Sequence, residues 1–457
     1  MKYTPEKSSL KQHEVPEWFH NAKFGIFVHW GLYSVPAFAI TGIDLVDSMK
    51  RGPEEHFKNN PYAEWYLNSL RIKGSPTQKF HNQTYGANFS YDDFIPIFNK
   101  EIEKWNPDEM AELFKKAGAK YVVLGTKHHD GFLLWPSDYK NPNKEKYHAS
   151  RNIVGELTKS VKKRGLKMGL YYSGALDWSF NPNPIIDGKS FVSNGPDSIK
   201  YTMYANNHWY ELIDKFGPIV LWNDIGYPPN TNVYEIFSYF YNKFPEGVIN
   251  DRWRQSHKSE FKHPTVRHWD FTTPEYEKMP KITNYKWEGT RGIGNSYGYN
   301  KMETENDYLT PKELIYLLID VVSKNGNLLL NVGPKMDGSI PELQKKAILG
   351  IGKWLEVNGE AIFETRPWII AEGETLEKIP IKFTQKDKVL YIHLLTDSNV
   401  NEITISDLRI MENSKIKIMG YEELLNWQQV NEDLRISIPN NLKNSAAYVL
   451  KLTPKPI

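Results

Sequence analysis

The sequence predicts an α/β protein, with a (β/α)8-type, TIM-like barrel over residues 1–365 followed by a small antiparallel β-sandwich over residues 366–457. Three observations carry this. From about residue 105 amphipathic helical patterns alternate with short apolar runs, the rhythm of parallel βα units. Each run starts apolar and ends in residues capable of chemistry, as barrel strands do at the face where active sites are built. After Thr365 the texture changes to short β-type runs separated by Asp, Asn, Gly and Lys, the pattern of a sandwich.

Taken in order, KFGIFVHWG (23–31) is a first strand. NPDEMAELFKKAGA (106–119) is a helix: Asn106 caps it, Pro107 fits the first turn, Glu109 completes a capping box and Gly118 ends it. Met110, Leu113, Phe114 and Ala117 form its apolar face. KYVVLGTKHH (120–129) is then a buried strand that turns polar at its end. The order recurs: a helix over Ile153 to Lys163 before LKMGLYYS, one over Tyr201 to Phe216 before PIVLWND, and one over Val233 to Phe244 before GVINDRW. PKELIYLLIDVVSKNG precedes NLLLNVGP, and IPELQKKAILGIGKWLEVNGEAIF is the last long helix. In the tail, IKFTQKDKVLYIHLL, EITISDL, KIKIMG, LRISIP and AYVLKL are the strands. An open doubly wound sheet is the alternative, but RGIGNSYG has irregularly spaced glycines and no strand-then-helix context for a phosphate loop.

Composition narrows the function. With 40% hydrophobic and 25% charged residues the chain is ordinary globular protein. The absence of cysteine excludes disulfides, thiolate metal sites and a Cys nucleophile. Basic and acidic residues balance, 57 against 55, and no Lys/Arg cluster is flanked by stacking aromatics, which argues against a nucleic-acid partner. Apolar runs fall short of the ~20 residues that span a bilayer, so no membrane partner is expected. The first 16 residues lack the apolar run of a secretory signal, and the expected location is cytoplasmic. Aromatic residues make up 14%, many beside polar ones, and aromatic faces pack against the C–H faces of sugars.

His29, His128, His129, Tyr171, Asp224 and Arg252 all fall at predicted strand ends, which converge in a barrel. An isolated Asp more often opens a turn, but this convergence favours Asp224 as a nucleophile. Glu275, in a loop dense with aromatics and prolines, is the candidate general acid, and Glu64 is the second candidate. Two carboxylates flanking a bond are the minimal machinery of glycoside hydrolysis, and their separation, unread from sequence, divides retention from inversion. The His128–His129 pair invites a metal. On a strand, however, adjacent side chains point to opposite faces, so hydrogen bonding to substrate hydroxyls fits better. Arg252 clamps a hydroxyl or holds a carboxylate ionised, while Trp65, Trp222, Trp253 and Trp269 are candidates to line a sugar pocket.

The segments WFHNAKFGIFVHWGLYSVP, NPYAEWYLNSL, FKKAGAKYVVLGTKHHDGFLLW, LYYSGALDW, VLWNDIGYP, NDRW, YKWEGTRGIGNSYGYN and LLLNVGPKMDG closely resemble the retaining α-L-fucosidases, glycoside hydrolase family 29. The likeness runs in unbroken order over roughly residues 15–365, and the β-rich tail agrees with the family's C-terminal sandwich. It implies that Asp224 is the nucleophile and that Glu275 is the acid/base, with Glu64 in reserve because the stretch RQSHKSEFKHPTV lengthens the loop before HWDF. It also implies that His29, Glu64, Trp65, His128, His129, Tyr171, Trp222, Arg252 and Tyr297 bind the sugar. The expected activity is exo-acting hydrolysis of α-L-fucosides, with no metal and no organic cofactor. Relatives often assemble into homo-oligomers, a state the resemblance leaves open for this chain. Rival readings are a silent fucose-binding protein, a metal-dependent barrel hydrolase, and a relative acting on α-L-galactosides.

Overall fold

The structure, a computed structural model, describes residues 2–255, 268–397 and 400–456. Most of RQSHKSEFKHPTV therefore lies outside the described residues. Seven parallel strands make up the barrel sheet: β1 Phe24–Val28, β2 Tyr121–Lys127, β3 Lys167–Ser173, β4 Val220–Asp224, β5 Val248–Ile249, β6 Trp287–Gly292 and β7 Gly326–Val332. Their order is β5-β4-β3-β2-β1-β7-β6. Nearly every strand residue is buried, which is why the strands read as continuous apolar runs. Helices α1 Pro107–Lys116, α2 Ile153–Lys163, α3 Ile199–Phe216, α4 Val233–Lys243, α5 Pro311–Ser323 and α6 Glu342–Asn358 follow the expected rhythm. Asn106 caps α1 by accepting from the Asp108 and Glu109 amides, and Pro107 takes the first position. The expected capping box is replaced by a side-chain bond, Asn106 Nδ2 donating to Glu109 Oε1 at 2.8 Å.

The barrel departs from the sequence reading between β5 and β6. GVINDRW yields only a two-residue strand because the Asn250 side chain takes over the pairing, accepting from Asn223 N at 3.0 Å and donating to Asn223 O at 2.9 Å. β6, the WEGTRG segment, was not expected, since two glycines and two charges hide its strand character. In the eighth position no regular strand forms among the described residues. Residues 270–276 fill it through single bridges, Asn250 with Phe271, Thr272 with Trp287 and Glu275 with Thr290. The irregular closure matters because it delivers Glu275 to the C-terminal mouth.

After α6 the chain forms two antiparallel sheets. The five-stranded one pairs β8 Arg366–Glu374, β9 Pro380–Lys386, β10 Val389–Leu394, β15 Tyr448–Thr453 and β12 Lys415–Ile418. The three-stranded one pairs β11 Glu402–Ile405, β14 Asp433–Ser437 and β13 Trp427–Val430. β8 and β13 were not expected from the sequence. Alternate residues such as Ile416, Ile418, Leu434 and Ile436 point into a separate apolar core. The tail docks on the barrel through Tyr391, Ala447 and Val449, which join the barrel's own core. Among the described residues no helix is long and apolar enough to cross a membrane.

Candidate active site

One cavity of about 340 Å³ opens at the C-terminal ends of the strands. Its lining includes His29, Glu64, Trp65, His128, His129, Tyr171, Trp222, Asp224, Arg252, Glu275 and Tyr297, so it gathers every residue singled out except Trp253 and Trp269. Trp253 is instead core: it packs against Trp209 and Phe237 and donates to Asn250 Oδ1 at 3.1 Å. Trp269 is 42% exposed and lies off the cavity.

Asp224 is the last residue of β4, and the ladder with β3 sets it beside Ser173. Its Oδ2 accepts from the Tyr171 hydroxyl and its Oδ1 from Arg252 Nη1, both at 2.9 Å. Burial alone would raise this carboxyl, but the Arg252 charge and the two donated bonds outweigh it and hold the group below its ordinary value. Arg252 also reaches the other carboxylate, with Nη2 3.2 Å from Glu275 Oε2. It also donates to Thr273, Nε to Oγ1 and Nη2 to the carbonyl, both at 2.9 Å, and its Cζ lies 4.8 Å from the centroid of the Trp222 ring. One guanidinium is thus shared by Asp224 and Glu275. Glu275 Oε1 accepts from Tyr62 at 2.8 Å. The residues that follow the two carboxylates, Ile225 (φ 61°) and Tyr276 (φ 56°), both sit in the left-handed region. Non-glycine residues there cost of order 1–3 kcal/mol each, strain of the kind concentrated at functional sites.

The three histidines are neutral, and hydrogen bonds fix the tautomers of His129 and His29. Ser173 Oγ donates to the Leu176 carbonyl at 2.9 Å, so at 2.7 Å it accepts from His129 Nδ1. Asn331 Nδ2 donates to the Tyr297 carbonyl, which turns Oδ1 to accept from His29 Nδ1 at 2.7 Å. In both rings Nε2 is left as an acceptor. Burial drops His29 to about 4 and His129 to about 3, and takes His128 well below its usual range. The expectation that His128 and His129 point to opposite faces fails. β2 ends at Lys127, the pair occupies the turn beyond it, and the two rings lie 3.9 Å apart on one cavity wall. Glu64 is enclosed, accepting from Gly298 N at 2.7 Å and Ser296 Oγ at 3.3 Å, and burial raises its carboxyl to about 8. At neutral pH it is a neutral acid. Among the described residues no three His, Asp or Glu side chains are grouped to hold a metal ion.

Comparison with known proteins gives the family. The α-L-fucosidase family model matches residues 1–360 and the α-L-fucosidase C-terminal domain matches residues 375–453. The chain belongs to the α-L-fucosidase family. Human tissue α-L-fucosidase is 33% identical over 468 residues, covering 99% of this chain and 92% of that protein. A Thermotoga maritima α-fucosidase in complex with a mechanism-based inhibitor is 44% identical, with a TM-score of 0.89 over 99% of this chain and 100% of that one. The same enzyme in complex with fucose gives 44% and 0.88 over the same shares.

In this α-L-fucosidase family member several site residues escaped the sequence reading. Tyr62 bonds Glu275, Ser173 and Asn331 orient histidines, and Thr273 anchors Arg252. Glu288 is fully enclosed inside the barrel, where the Trp222 indole donates to its Oε1 at 2.9 Å and Tyr121 bonds its Oε2. Tyr121, Trp222 and Glu288 come from β2, β4 and β6, the alternate-strand arrangement of a barrel layer. Burial raises Glu288 to about 7. Tyr62 and Asn331 lie inside motifs quoted above, NPYAEWYLNSL and LLLNVGPKMDG. Glu288 was lost with the strand that carries it.

Proposed function

We propose that this chain is an exo-acting α-L-fucosidase that retains anomeric configuration through two displacements. In the first, Asp224 Oδ attacks C1 of the fucosyl group while the Glu275 carboxyl gives its proton to the departing glycosidic oxygen, and the C1–O bond breaks. In the second, Glu275 takes a proton from water, the hydroxide equivalent attacks C1, and the ester bond to Asp224 breaks, restoring both groups. The reading rests on one observation above all, a single guanidinium shared by the two carboxylates at the mouth of a pocket of neutral histidines. His29 and His129, each with Nε2 as acceptor, would receive hydroxyl hydrogens of the sugar. Trp222 and Tyr297 would wall its ring and methyl group.

A second proton donor has a specific argument: Glu64 lines the same cavity and is protonated at neutral pH. Removing each carboxyl against substrates of differing leaving-group quality separates the two, since only the true donor's loss spares good leaving groups. The overall reading is tested by NMR of the first sugar released from an aryl α-L-fucoside. The α-anomer is expected, and initial release of the β-anomer would overturn double displacement.

A further inference from the structure

The cavity has two chemically different halves. Around Asp224 the lining side chains carry nitrogen or oxygen, Phe27 apart. Farther out, Leu45, Met49, Pro53, Phe57, Phe191 and Ile225 line it with no polar side-chain atom. Most come from three short helices, Leu45–Lys50, Pro53–Lys58 and Gly188–Ser193. Two polar neighbours, His56 and Asn60, each direct one polar atom into the protein: His56 Nδ1 pairs with Ser48 Oγ at 2.9 Å and Asn60 Oδ1 accepts from Tyr62 N at 2.9 Å. Burial keeps His56 neutral.

The halves are continuous. Ring contacts run outward from His129 to Trp65 at 5.2 Å, from Trp65 to Phe57 at 5.7 Å, and from Phe57 to Phe191 at 6.0 Å with planes 22° apart. At the end of this run the helix Leu45–Lys50 buries only Ser48 and leaves Met49 61% exposed. Apolar surface that the protein leaves uncovered beside a reaction site marks a place for a ligand. Met49, unbranched and polarizable, suits contact with varied apolar shapes.

We propose that this outer half is the leaving-group subsite, and that it takes an uncharged aglycone presenting a flat apolar face, either an aryl ring or the C–H face of a pyranose. The inference rests on the fucosidase reading and extends it to the part of the substrate beyond the scissile bond. Aromatic faces meet either surface in the same stacked geometry. A carboxylate or sulfate on the aglycone would shed water here without gaining a cation from the six lining side chains, so anionic aglycones are disfavoured.

The test compares Met49→Ser and Phe191→Ser with the unaltered chain on three substrates. α-L-Fucosyl fluoride has a leaving group too small to reach the outer half, whereas 4-nitrophenyl α-L-fucoside and a fucosyl-N-acetylglucosamine disaccharide both extend into it. Each variant is expected to lose about five- to tenfold in kcat/KM on the larger substrates, the size of a lost apolar contact, and less than about twofold on the fluoride. Loss on both larger substrates identifies a sugar face, and loss on the aryl fucoside alone identifies an aryl source. Equal losses on all three substrates, or none on the larger two, overturn the subsite. Failure of the unaltered chain to hydrolyse any of the three would instead sink the fucosidase reading.

Discussion

The two carboxylates at the barrel mouth are held in contrasting ways. Asp224 ends a regular strand, is 8% exposed, and takes bonds from Arg252 and Tyr171 on its two oxygens at equal 2.9 Å distances. Glu275 sits in the irregular eighth position, is half-buried, and is reached by Arg252 at 3.2 Å and by Tyr62. A group that must stay ionised and strike one carbon gains from a rigid ladder and a close charge partner. A group that must give and recover a proton gains from a looser hold and access to water.

Breaking the tightly held side is expected to have the largest effect. Asp224→Gly should lower turnover of an aryl α-L-fucoside by roughly 10⁴-fold or more, with partial rescue by azide measured as fucosyl azide formation. Glu275→Ala should cost roughly 10²- to 10⁴-fold on poor leaving groups and far less on good ones, read from a plot of rate against leaving-group pKa. A flat plot would move the proton donor to Glu64. Arg252→Gln removes the charge that opposes burial at Asp224, so that carboxyl should rise. The acid limb of kcat/KM, which needs ionised Asp224, should then move to higher pH. Beneath both carboxylates, Glu288→Leu should lower unfolding free energy by about 2–4 kcal/mol in urea titration, since the Trp222 indole and Tyr121 hydroxyl lose their acceptor. Glu288→Gln keeps an acceptor for Trp222 and should stay within about 1 kcal/mol of the unaltered chain.

The same contrast governs what the sequence made legible. Regular βα units announce themselves by periodicity, so β1 to β4, β7 and helices α1 to α6 were readable, along with the chemistry at their ends. Where side chains replace the ladder, as Asn250 does after β5, pattern reading overran the strand. Where glycine and charge occupy a buried strand, as in β6, it saw none and missed Glu288. The turn carrying His128 and His129 shows the reverse: both residues reach the cavity, but on one wall rather than on opposite faces, because the strand stops two residues earlier than the pattern implied. Trp253 and Trp269 were chosen by residue type alone, and one became core while the other stayed on the surface. The apolar outer wall had no signal at all, since its short helices lie outside the barrel rhythm.

Trapping with a 2-fluoro fucoside carrying an activated leaving group, followed by proteolysis and mass spectrometry, addresses the nucleophile itself. The account predicts one fucosyl label per chain, on the peptide containing Asp224, with loss of the label in Asp224→Gly. A label on Glu275 or Glu64, or time-dependent turnover with no covalent adduct at all, would contradict it.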